Sequence, residues 1–267
     1  MKALGVVLAV VLIAGCGTLN GPRTGTISPP TDALTQWKEF PAGQVPRPIV
    51  LIGDSLTPHG CKLTPTFQPA ADGPTTASAT WTDGTTVAYP AISEAEAVAA
   101  SGHAATGSAQ ACSVTAGRPG TFGFRTDRGL ASMSAWLFTA GGAVGEIAYP
   151  ALPELAFWGK GVHAASIGGS ATVSATGRVA TFSFPGGPPD GVCAEDYTAV
   201  VAESPAAVAV AVQSFPGRSQ GGPVSCNEMD RVRSVTVQLA KPLDGRVMVD
   251  ASGGVVAVCP EAIRSSC

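Results

Sequence analysis

Charge is what this chain has least of. Only 13% of its 267 residues are charged, lysine occurs at five positions and asparagine at two, and aromatic residues make up 6%. So few basic residues, under a net charge of −3, exclude a nucleic-acid partner, which needs a basic face to meet the phosphates. No Cys-x-x-Cys pair occurs, and no histidine lies at ligand spacing from a cysteine except His59 beside Cys61. A metal site is therefore not expected, nor any other cofactor. Past residue 16, no apolar run approaches the roughly 18 or more residues of a membrane-crossing helix. The apolar share, 45%, suffices for a packed core and argues against disorder across most of the chain. Much of it is Ala and Val, so the core has to be built from small side chains.

The first sixteen residues carry the clearest signal. Lys2 gives a positive start, Ala3 to Ala14 is almost unbroken apolar sequence, and Ile13-Ala14-Gly15-Cys16 ends it with small residues before a cysteine. A secretory signal has this layout, with an apolar run too short to span a bilayer stably. The cysteine makes it resemble a bacterial lipobox, in which the thiol is acylated and the signal is cut at the cysteine amine. Cleavage there removes fifteen of 267 residues and leaves Cys16 lipidated, so the expected partner is the membrane, reached through a lipid anchor on its outer face. Residues 16–36, rich in Gly, Thr, Pro and Ser with no apolar period, read as a flexible tether.

Six further cysteines remain: Cys61, Cys112, Cys193, Cys226, Cys259 and Cys267. An even number in an exported chain reads as disulfides, and six allow fifteen pairings. Proximity favours Cys61 with Cys112, Cys193 with Cys226, and Cys259 with Cys267. Closing the loop from 193 to 226 is worth roughly 3–4 kcal/mol in the chain-entropy picture.

The rest reads as mainly β: antiparallel, sandwich- or barrel-like sheets with one short helix, stabilised by disulfides. Two β-rich parts are expected, residues 37–155 and 156–267. Ile49-Val50-Leu51-Ile52 is the first clear strand, apolar on both faces. Thr76 to Trp81 and Thr85 to Tyr89 form a hairpin about Asp83-Gly84. Ser93-Glu94-Ala95-Glu96 is a capping box that opens a helix ending near Ser101 and Gly102. Thr121 to Thr126 and Ser132 to Thr139 pair about Asp127-Arg128-Gly129, followed by a short strand at Glu146 to Tyr149. Later strands are Ala171 to Ala175, Val179 to Phe184, Tyr197 to Glu203, Ala207 to Gln213, Val232 to Leu239 and Gly245 to Asp250.

Gly53-Asp54-Ser55-Leu56 matches the nucleophile block of the GDSL esterases, which would make Ser55 the attacking group. The rest of that machinery is missing. The last histidine, His163, is preceded three residues earlier by Lys160 where the family has an aspartate, and Asn20 and Asn227 stand in no Gly-x-Asn block. No catalytic residue is therefore assigned. Weaker candidates are His59 with His103, which a Cys61–Cys112 bridge would bring near each other; Trp136-Leu137-Phe138 as a stacking surface; and Asp196, Glu203, Arg246 and Asp250 as a binding cluster. The better readings are two exposed loop histidines, hydrophobic strand packing and structural ion pairs at strand ends, respectively.

Three groups of residues carry a resemblance. They are Arg47-Pro48-Ile49-Val50-Leu51-Ile52-Gly53; Ala135-Trp136-Leu137-Phe138-Thr139; and the scattered set Cys193, Asp196-Tyr197, Glu203-Ser204, Cys226, Leu239, Pro242-Leu243, Arg246-Val247 and Asp250. On these the chain is similar, over about residues 45–252, to a group of uncharacterised actinobacterial secreted proteins and lipoproteins. The Ala, Gly, Pro and Val excess suits the same GC-rich source. The resemblance implies an extracytoplasmic, disulfide-stabilised, mostly β protein and carries no activity. The expected function is thus a lipid-anchored envelope protein with a non-catalytic binding or structural role. A Ser55 ester hydrolase and a solute-binding lipoprotein are the alternatives.

Overall fold

The computed structural model describes residues 27–53, 62–104, 111–141, 145–159, 165, 169–191, 193–216 and 231–261. Strands account for 51% of the described residues, a mainly β content, as composition and turn spacing imply. The sheets are mixed, however, and not purely antiparallel. In each of the three, one parallel pair joins an otherwise antiparallel set.

The first sheet holds β1 (Lys62–Pro65), β2 (Thr76–Trp81), β3 (Thr86–Pro90), β4 (Ala111–Thr126), β5 (Gly129–Ala140) and β6 (Glu146–Pro150), in the order β1-β4-β5-β2-β3 with β6 also on β5. Both expected hairpins are present. The β2–β3 turn carries Gly84 at φ +85°, and Asp83 Oδ1 accepts from the Thr85 amide at 2.8 Å. β4 starts about ten residues earlier than Thr121, because Gly117, Pro119 and Gly120 hide its period in the sequence. Gly117 is needed there for space: a Cβ would lie 1.8 Å from Glu94 Oε1.

Helix α1 (Glu94–Ala104) opens on the capping box. Ser93 Oγ accepts from the Glu96 amide at 3.2 Å and Glu96 Oε2 accepts from the Ser93 amide at 2.7 Å. The helix does not stop at Gly102, which keeps a right-handed backbone. Tertiary contact extends it: buried Ser101 accepts from the Leu63 amide of β1 at 3.4 Å while donating to the Val98 carbonyl at 2.7 Å.

The remaining strands are β7 (Ser170–Val173), β8 (Val179–Gly186), β9 (Glu195–Glu203), β10 (Ala207–Pro216), β11 (Arg231–Gln238), β12 (Val247–Asp250) and β13 (Ala257–Pro260). They form a three-stranded sheet, β12-β10-β9, and a four-stranded sheet, β11-β8-β7-β13. The two sheets pack face to face: Val208, Val210 and Met248 of one meet Ala171, Phe182, Val235 and Val237 of the other. The opposite face of the three-stranded sheet is buried as well. Ala207, Ala209, Val247 and Val249 cover Trp37, Phe40, Val50 and Ile52. Burial on both faces is why β10 and β12 read as unbroken apolar runs and can include a parallel pair.

Two expectations about the N-terminal segment are corrected. The tether assigned to residues 16–36 ends sooner, since Thr31–Trp37 is a 3-10 helix with Ala33 and Trp37 buried. Trp37 Nε1 donates to the Gly253 carbonyl at 3.1 Å. Ile49 to Ile52 is not a strand of any sheet; it makes isolated bridges, Ile49 with Phe157 and Leu51 with Thr126. Its apolar run is nonetheless buried on both sides. Ile49 and Leu51 enter the core under the first sheet, whereas Val50 and Ile52 enter the core against β10 and β12. Phe157 packs on the first core and Trp158 on the second. Residues 37–52 serve both cores, so they do not belong to the N-terminal part alone.

Tyr149 of β6 is buried, and burial foremost, with Glu154 nearby adding to it, pushes its phenol up to about 12. A phenol whose folded value exceeds the ordinary 10 favours the fold fully below pH 10 and loses that contribution as pH rises towards 12. Alkaline titration at 295 nm is expected to show Tyr149 ionising together with unfolding. Tyr149→Phe should remove roughly 2–3 kcal/mol of stability loss between those pH values.

Candidate functional site

Where the strap of residues 47–52 meets the turns of all three sheets, a cleft of about 600 Å³ opens. Its walls come from Arg47, the β2–β3 turn at Asp83, the β4–β5 turn at Asp127 and Arg128, the β7–β8 turn at Ser174, the loop Leu243 to Arg246, and the end of β13.

The cleft is built outward from Asp127. This residue is 3% exposed, and its Oδ2 accepts from Arg47 Nη2 at 2.5 Å in a buried ion pair. Its Oδ1 accepts from the Val50 amide at 3.3 Å, its own amide donates to the Val50 carbonyl, and its carbonyl accepts from the Val258 amide. Arg47 in turn donates through Nε to the Gly245 carbonyl and lies 4.6 Å from the centre of the Phe40 ring. Gly245 is at φ +71°, and a Cβ there would stand 2.4 Å from the Ala42 carbonyl, so only glycine fits this approach. One aspartate thereby ties together the strap, the first sheet and β13.

Next to it, Thr126 Oγ1 accepts from Trp81 Nε1 at 3.0 Å and from the Arg128 amide at 3.1 Å, and donates to the Gly129 carbonyl at 2.7 Å. This fixes a tight turn and lays the Arg128 guanidinium 3.6 Å from the centre of the Trp81 ring. Arg128 Nε and Nη2 are buried and have no hydrogen-bond acceptor among the described residues. Burial foremost pulls the guanidinium below its ordinary value and Arg47 adds to this, against Asp127, Asp83 and Tyr89.

On the far wall, Arg246 Nη1 donates to Glu203 Oε2 at 2.8 Å, and Nη2 to the Lys241 and Pro242 carbonyls at 2.7 Å. Burial raises the Glu203 carboxyl, but hydrogen bonds from the Ala240 amide and Arg246 outweigh it and leave the group below the usual range. Of the four residues considered as a cluster, Glu203 and Arg246 meet. Asp250 instead shapes its own turn by accepting from the Ser252 and Gly254 amides, and Asp196 lies opposite Phe215 on β9.

The other candidates are placed as follows. Trp136, Leu137 and Phe138 are core residues, Trp136 Nε1 donating to the Ile92 carbonyl at 2.9 Å, and they form no stacking surface. Gly53 ends the strap at φ +81°; Ser55, His59 and His163 lie outside the described residues, and His103 belongs to α1. Cys112, Cys193 and Cys259 are half-cystines, while Cys16, Cys61, Cys226 and Cys267 lie outside the described residues. No complete bridge is seen among the described residues.

Sequence reasoning passed over Arg128 and treated Asp127-Arg128-Gly129 as a turn and nothing more. The available signal was an arginine at the tip of a hairpin, one residue before the turn glycine Gly129. Comparison with protein-family models, with curated proteins and with solved structures finds no match for this chain.

Proposed function

We propose that this is a lipid-anchored extracytoplasmic protein whose β-rich body binds a small ligand in the cleft at the strap and performs no bond cleavage. The observation that carries this reading is the state of the cleft's cations. Arg47 and Arg246 are committed to Asp127, Glu203 and backbone carbonyls, whereas Arg128 Nε and Nη2 have no acceptor among the described residues. A volume of about 600 Å³ is in the range of sites that enclose small molecules. Location outside the membrane rests on Ile13-Ala14-Gly15-Cys16 and on the resemblance to actinobacterial lipoproteins.

Disulfides belong to the same proposal. The half-cystines Cys112, Cys193 and Cys259 fall one in each of the pairs Cys61–Cys112, Cys193–Cys226 and Cys259–Cys267. The parallel register that sets Lys62 against Ala111 and Leu63 against Cys112 favours the first of these.

Cys16→Ser is the direct test. The wild-type chain expressed in a bacterium that processes lipoproteins should partition into the detergent phase, and the variant should move to the aqueous phase. Equal partitioning would remove the anchor from the proposal. Labelling of Ser55 by a fluorophosphonate probe, read by mass spectrometry, would replace it with the ester hydrolase. A succession of β-hairpins, in place of alternating strands and helices, supports ranking the hydrolase and the solute-binding alternative second.

A further inference from the structure

The ligand class follows from what the cleft leaves unsatisfied, and it rests on the reading of the cleft as a binding site. Arg128 lines the cleft, its planar group stacks on Trp81, and its two unmet donors, Nε and Nη2, share one edge of the guanidinium. That edge is the fork that meets both oxygens of a carboxylate. Leaving such donors buried without acceptors costs on the order of 1–3 kcal/mol each in general, so a ligand with two adjacent acceptor oxygens relieves an existing penalty. Reaching them takes a rotation about the flexible side-chain torsions.

The rest of the lining decides between anions. Arg47 is neutralised by Asp127 and Arg246 by Glu203. Among the described residues that line the cleft, what remains is one cation, Arg128, against three exposed rim carboxylates, Asp83, Asp244 and Glu261. A dianionic phosphate would gain one guanidinium and face three negative charges. A molecule with a single carboxylate and an ammonium group matches both, the carboxylate on Arg128 and the ammonium towards the rim. Between them the wall is apolar, formed by Val173, Leu243, Val258 and Pro260.

We infer that the cleft binds a short zwitterionic peptide of apolar side chains, its terminal carboxylate held by Arg128 and its amino group facing Asp83, Asp244 and Glu261. The test uses the full chain in detergent micelles, with trileucine as probe and the arginine Nε–H signals followed by NMR. Trileucine should bind saturably and shift the Arg128 Nε–H signal downfield. Its C-terminal amide should bind at least tenfold more weakly, as should the N-acetyl derivative, and inorganic phosphate should not displace it.

Arg128→Lys keeps the charge but loses the fork, and should weaken trileucine at least tenfold without altering detergent partitioning. Should that variant fail to fold, the double variant Asp83→Asn, Asp244→Asn on the exposed rim supplies the second measurement. It should bring the affinity for trileucine down to that for the N-acetyl derivative. No saturable binding of trileucine, equal binding of acid and amide, or unchanged affinity in Arg128→Lys would each overturn the inference. Detergent partitioning and Ser55 labelling are read separately, so the wider proposal survives or fails on its own measurements.

Discussion

Asp127→Ala is expected to destabilise the protein by about 3–5 kcal/mol, measured by chemical denaturation at neutral pH. The cost comes chiefly from what is left behind and only partly from the contact removed. Arg47 Nη2 loses its acceptor in a site where the arginine side chain is only 8% exposed, and an uncompensated buried cation is far more costly than a missing surface pair. The Val50 amide loses an acceptor in the same step. If this account is right, Arg47→Met combined with Asp127→Ala will cost clearly less than the sum of the two single changes, because the second replacement removes the orphaned charge. Additive losses would mean that the two side chains act independently. The exposed Arg118–Glu146 pair of the first sheet gives the contrast: solvent screens it, and Glu146→Ala should cost under about 1 kcal/mol.

Trp37→Ala is expected to cost about 3–5 kcal/mol, the range for deleting a large buried aromatic. Trp37 is 1% exposed, packs edge-on against Phe40, and donates to the Gly253 carbonyl. An almost unchanged denaturation midpoint would mean that residues 31–37 are a tether after all. The site has little means of collapsing into the cavity, since the opposing surface of Ala207 and Ala209 is strand backbone with methyl groups.

That residue also marks the limit of what could be read beforehand. Thr31 to Gln36 looks like linker because a short 3-10 turn has no room for a hydrophobic period, and the turn is fixed at its end by Trp37, whose indole bonds to Gly253 more than two hundred positions away. The hairpins, the capping box and the alternation of Val235, Val237 and Leu239 were legible, since turn chemistry and period-two burial are local. β1 and β13 were not. Each is four residues long, contains a proline, and is a strand only because a parallel neighbour presents its edge. Parallel partners lie far apart in sequence, so the expectation of antiparallel sheets failed at those pairings. The cleft escaped for the same reason: Arg47, Arg128 and Gly245 meet only after three sheets are in place.

The strap has a consequence for the order of assembly. Ile49 and Leu51 complete one apolar interior while Val50 and Ile52 complete another, and the second interior draws on residues as late as Val255 and Ala257. Synthesis runs from the amino end, so a segment made early must wait, uncovered, for nearly the last strand before both its sides are dry. Such distant closure slows folding and makes the two interiors form or melt together, with four consecutive side chains as the shared hinge pin.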